Sequence, residues 1–197
     1  QGRHLLPVVT WDSGNITFSD VSMTASDSLV LQAAGGIQGL SAGEIFSADT
    51  IHIESGEDLY IGGSLLGDTI VDIHTDGSLF LENTAVVQGK TVSFVSEFGS
   101  VSAEAGCCVV GDVLYGEAQA GFNVFGDMEG YQVNVTGQGD IAIEDTNTLG
   151  RDKSVTLENV QTSAGLVSVL ADSTITALSV GGDDIELVAT GAGSIEL

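Results

Sequence analysis

Proline occurs once, as Pro7, in 197 residues, which removes collagen-like and proline-rich linker readings despite twenty-seven glycines. Basic residues are nearly as scarce: Arg3, Lys90, Arg151 and Lys153 stand against 28 acids, for a net charge of −24. Nucleic acid and anionic membranes both require Lys and Arg as counter-charge, so neither is an expected partner. The only two cysteines, Cys107 and Cys108, are adjacent. They carry no CxxC or Cys/His metal spacing, and on a strand they would point to opposite faces. No run of about 18 apolar residues exists, which excludes a transmembrane helix. The opening QGRHLLPVV is too short for a signal peptide, so an exported chain would already have shed its signal. Aromatics are scarce too (6%), with a single Trp11.

What is present is a 43% apolar fraction, enough to argue against disorder despite the charge, and long stretches of short alternating runs. TIHIE, DLYIGG, SLFLEN, TVSFVS and DIAIED alternate apolar and polar residues and are cut by Gly, Asp, Asn and Ser. Each run is too short for a helix and has the two-residue period of a strand.

The runs recur at a fixed interval. Leu31, Ile53, Ile73, Phe94, Leu114, Val135, Leu157, Leu178 and Leu197 form an inward series whose steps, by subtraction, are 22, 20, 21, 20, 21, 22, 21 and 19. Ile61, Leu81, Val101, Val124, Ile143, Val167 and Leu187 follow in step. Two series at one period predict an all-β parallel β-helix (β-solenoid) of about 20-residue coils over residues 15–197. Inward Ile, Leu and Val would stack on their kind above and below. A β-sandwich is the alternative, but only Asp76-Gly77 has the hairpin signature it would repeat. Residues 1–14 break the pattern and read as an N-terminal cap or linker. The terminal GSIEL reads as mid-strand, an edge that a neighbour would cover. The expectation is a piece of a longer solenoid or a unit stacking end to end.

The runs GSLFLEN, GDIAIED, KSVTLEN and DDIELVATGAGSIEL resemble the β-helical repeats of filamentous haemagglutinin-like exoproteins and other large bacterial surface adhesins. The secretion-domain motif of the Asn-Pro-Asn type is absent. The resemblance implies a secreted or surface-held structural rod, one piece of a far longer chain.

The residues that could bear chemistry are few. Laying Ile53 over Ile73 sets His52 beside Asp72 and Glu54 beside His74, all four outward. The metal reading is a two-His, two-carboxylate zinc set; the plain one is a pair of cross-strand ion pairs. Gly-Asp steps at Asp68, Asp112, Asp127, Asp140 and Asp183 offer hard oxygens, which leaves calcium as the one cofactor to test, although Gly-Asp is also ordinary corner chemistry. For a polysaccharide lyase only Arg151 and Lys153 could supply the base. With 28 acids, a glycosidase-like carboxylate pair arises by chance. Thr174-Ile175-Thr176 has the Thr-x-Thr form of the ice-binding type but does not recur regularly on one face, and Asn15 and Asn134 head glycosylation sequons.

The expected function is structural, not enzymatic: an extracellular or cell-surface rod, stiff and acidic, acting as an adhesin stalk or fibre subunit. Its partners would be further copies, neighbouring repeats or cell-surface glycans, without membrane insertion. The alternatives are a polysaccharide-active β-helix enzyme and a calcium-dependent surface-layer or adhesion module.

Overall fold

The structure, a computed structural model, describes residues 8–11, 14–18, 21–126, 132–145 and 154–197. Among these residues all secondary structure is β, and every strand pairing is parallel. The chain winds through about eight coils of about 21 residues, a β-solenoid. At about 4.8 Å per coil the stack is roughly 40 Å long. The sandwich alternative fails because each strand pairs with its counterpart one coil on, not with its neighbour in sequence. Asp76-Gly77 accordingly forms a corner between Ser64–Thr75 and Leu79–Leu81, not a hairpin.

The first sheet runs the length of the stack, from Val8–Trp11 through Ser28–Ala33, Ile45–Ser55, Ser64–Thr75, Thr91–Ser96, Val113–Ala118, Gln132–Gly137, Val155–Thr162 and Ile175–Ala177 to Ile195–Glu196. Val8–Trp11, within the stretch expected as cap or linker, pairs in register with Val30 to Ala33. The second sheet comprises Leu59–Ile61, Leu79–Leu81, Ser100–Ala103, Gly121–Gly126, Ile141–Asp145, Leu166–Ala171 and Asp184–Ala189. A third side is built where Met23, Phe46, Leu65, Val87 and Val109 align on successive coils.

Period-two alternation sets which side chains enter the core. Thr91–Ser96 alternates half-buried and buried at each step. Two inner columns result on the first sheet. One is Leu29, Ile51, Val71, Val92, Leu114, Val133, Leu157 and Ala177; the other is Leu31, Ile53, Ile73, Phe94, Gly116, Val135, Val160 and Val180. Leu29 through Phe94 in both columns are fully buried. Burying such a side chain contributes about 1.5–3 kcal/mol. Each coil shares that gain with the coils above and below, which is why a single coil cannot stand alone.

The ladder expected from the sequence is one column only as far as Phe94. Leu114 and Leu157 are inward but belong to the Leu29 column, while Val135 returns to the Leu31 column. Leu178 is a correction: it is 69% exposed. The register jumps between Val133/Leu157 and Asn134/Asn159, leaving Glu158 as an extra residue. The next coil accommodates that excess by turning Leu178 and Ser179 outward, both N–H groups pointing at the Leu157 carbonyl (2.9 and 3.4 Å). Leu197, the last member of the series, is also outside the core, at 97% exposed.

One corner carries a buried hydroxyl column. Ser55, Thr75, Ser96 and Thr162 point inward at the end of first-sheet strands, where Ala33, Ala118 and Gly137 occupy the other coils. Ser96 Oγ donates to the Gly77 carbonyl (2.7 Å), Thr162 Oγ1 to Gly139 (2.7 Å), Ser55 Oγ to Glu57 (3.1 Å), and Thr75 Oγ1 also to Glu57. A carbonyl left inside without a donor is costly, so the hydroxyls satisfy what the sheet ladders cannot reach. Elsewhere a turn needs Gly39: its φ is +88°, and a Cβ there would lie 2.1 Å from the Phe18 carbonyl oxygen.

Candidate functional site

The described histidines and the acids paired with them lie on the outer face of the first sheet, where Ile45–Ser55, Ser64–Thr75 and the corner after Thr91–Ser96 lie side by side. The residues that flank the buried Ile51, Ile53, Val71 and Ile73 must point outward. His52 stands opposite Asp72, and Glu54 opposite His74, in the register that the 20-residue step implies.

Side-chain contacts then divide the four. His52 Nδ1–H donates to Asp72 Oδ2 at 2.9 Å, and its Nε2 lies 3.9 Å from Glu54 Oε2. Glu54 also accepts from Gln32 Nε2 at 2.5 Å. His74 turns the other way, and its Nε2 lies 3.1 Å from Glu97 Oε1 one coil on. Among the described residues every ion pair involves His52 or His74. The four expected ligands are therefore neighbours without forming one cluster. The group whose donor atoms come within 4.8 Å of one another is His74, Asp76 and Glu97. Sequence reasoning missed Asp76 and Glu97. The signal was there: Asp76 is two residues after His74, and Glu97 lies one period beyond Asp76.

The hydrogen bond to Asp72 raises the His52 imidazole above its ordinary value; partial burial opposes this and the charges of Asp72 and Glu54 add to it. The same bond from His52 lowers Asp72, again against burial, and the Ser93 hydroxyl, opposite Asp72 on the next coil, lowers it further. Asp72 thus sits between an imidazole and a hydroxyl. In a nucleophilic triad the imidazole would occupy the middle position and take the hydroxyl proton. Here the order is wrong for that chemistry, and the arrangement is an inter-coil clamp.

The recurring aspartates act at corners. Asp140 Oδ1 accepts the Leu166 N–H (2.9 Å) and Asp183 Oδ2 the Gly165 N–H (3.2 Å), each bridging coils. Asp58 does the same for Ser78 (2.7 Å), and Asn15 for Gly36 (3.0 Å). Asp68 and Asp112 line a shallow groove on either side of Lys90. Asp127, Arg151 and Lys153 lie outside the described residues. The buried Glu44 accepts the N–H groups of Val21 (3.1 Å) and Ser41 (3.2 Å), a capping role unforeseen from the sequence. Cys107 is buried and Cys108 half-buried. On the second sheet, Tyr60 and Phe80 stack outward with ring centroids 4.6 Å apart. Among the described residues no helix is long and apolar enough to cross a membrane.

Comparisons with protein-family models, curated proteins and solved structures gave no match.

Proposed function

We propose that this chain is a structural rod, not an enzyme: a stiff, acidic stalk or fibre segment of an extracellular or cell-surface assembly. The observation that carries this reading is continuity. Two apolar columns on the first sheet run from Leu29 and Leu31 to Ala177 and Val180 with strands in parallel register throughout. Such a stack spreads bending load over every inter-strand ladder. The net charge of −24 keeps its flanks soluble and mutually repelling. The chain's likeness in repeat style to bacterial adhesin β-helices supports the location.

The partner this reading favours is another coil of the same kind, from neighbouring repeats or a second copy. Val167 is fully buried, whereas Ile185, its partner on the next coil, is 49% exposed. Ile195 on the last described coil is 43% exposed. A further coil laid over these residues would bury them as the inner ones are buried. Cell-surface glycans remain a second class of partner for the outer faces.

Electron microscopy of the purified chain at native salt, with and without chelator, tests the proposal. Rods of roughly 40 Å, or filaments with an axial repeat of that order, are the expected images. Turnover of a polysaccharide panel, abolished by single carboxylate substitutions, would overturn it. Filaments that dissolve only in chelator would shift the reading to a cation-dependent surface module.

A further inference from the structure

The corner where His74, Asp76 and Glu97 meet holds an electrostatic conflict. Asp76 N–H donates to the Ser55 carbonyl (2.9 Å) and Glu97 N–H to the Thr75 carbonyl (3.0 Å), so the two acids occupy the same corner position on successive coils. Phe98 N–H donates to the Asp76 carbonyl (3.0 Å) and fixes that stacking. Parallel coils set such residues about 4.8 Å apart, and like charges directly opposite destabilise a sheet. Among the described residues no Lys or Arg answers them. The single described cation, Lys90, stands in a groove between Asp68 and Asp112. Among the described residues the Asp76 carboxylate has no hydrogen-bond or ion-pair partner, and Glu97 has only the His74 imidazole. Further acids, Glu54 and Asp72, flank His74.

We propose that His74, Asp76 and Glu97 bind a divalent transition-metal cation of the zinc class, bridging two consecutive coils. The donor set selects the metal. One imidazole nitrogen with two carboxylates suits zinc and its neighbours, whereas calcium and magnesium take oxygen ligands. The donor atoms already lie within 4.8 Å of one another. Zinc bonds of about 2.0–2.2 Å need them somewhat closer, within reach of rotamer adjustment in half-exposed side chains. Because the backbone of both corner acids is held by inter-coil hydrogen bonds, little ordering remains to be done on binding. Three protein ligands leave a coordination position on the solvent side for water or a neighbouring molecule's ligand.

Calorimetric titration of the chelator-stripped chain with zinc chloride tests the site, with cobalt(II) absorption as a second readout of coordination. One zinc per chain is expected, with a rise in Tm that chelator reverses. His74→Ala and Glu97→Gln should each weaken binding by more than about 100-fold, beyond the roughly 10–100-fold cost of losing an outer partner. His52→Ala should leave it within about threefold, since His52 lies outside the ligand set. All three side chains face outward, so circular dichroism of each variant is expected to match the parent. The site is overturned if His52→Ala abolishes binding as His74→Ala does, which would restore the four-residue set around Asp72. It is equally overturned if zinc binds only at millimolar levels, with many equivalents and no effect of the variants, as diffuse condensation on an acidic surface would.

Discussion

Phe122 occupies the space that a side chain at Gly116 would need: a Cβ at 116 would lie 2.3 Å from Phe122 Cε2. The two residues come from different sheets, and the ring is buried to 1% exposure. The second inner column of the first sheet therefore passes from Phe94 to Val135 across a residue with no side chain, and the opposite sheet fills the gap.

Gly116→Val is expected to destabilise the chain by about 1–3 kcal/mol through overpacking. The double variant Gly116→Val with Phe122→Ala should recover part of that loss, because the partner ring is what the new methyls meet. Urea unfolding of the two singles and the double measures the coupling. Strict additivity would show that the ring and the glycine do not share the site.

Ile73→Asp buries an unpaired carboxylate between two coils and should cost more than about 4 kcal/mol or abolish folding. Leu178→Asp should stay within about 0.5 kcal/mol of the parent, since that side chain is already in water. Thermal melts of both decide which residues line the core.

Removing a hydroxyl from the corner column takes one donor from a partly buried carbonyl. Ser96→Ala, which loses the 2.7 Å bond to the Gly77 carbonyl, should cost about 1 kcal/mol, and Thr75→Val less, because Ser55 Oγ still donates to the Glu57 carbonyl. Amide hydrogen exchange should show faster opening confined to the adjoining corner.

The His52–Asp72 pair makes stability depend on pH in the metal-free chain. The folded state raises His52, so its contribution is full below the ordinary histidine value of about 6.5 and is lost as pH climbs through the raised one. Asp72 is lowered, so its contribution is present above about 3.9 and is lost as pH falls through the depressed value. The pair therefore helps most between about pH 4 and 6.5. It is more than a third exposed on both sides, which limits its worth to a few tenths up to about 1 kcal/mol, less in high salt. His52→Gln should flatten that part of the profile in denaturant titrations run from pH 4 to 9. An unchanged profile would mean that the imidazole and the carboxylate do not interact in solution.

The sequence alone determined the kind of fold and its period. Alternation chooses a face because successive side chains on a strand point to opposite sides, and a shared step of about 21 residues lays like on like. That local rule was enough to set His52 against Asp72 and Glu54 against His74. It could not say which inward residues share a column. Choosing Leu114 after Phe94 was natural, since Gly116 presents no apolar side chain to find; its volume comes from Phe122 in another sheet. Leu178 kept the spacing and the hydrophobicity of a core residue, yet an extra residue at Glu158 one coil below pushes it outside. Nor could spacing tell that His74 turns to Glu97 and Asp76 instead of Glu54. Register, volume filling and side-chain direction depend on what the adjacent coil and the opposite sheet supply, and those neighbours meet only when the chain is wound.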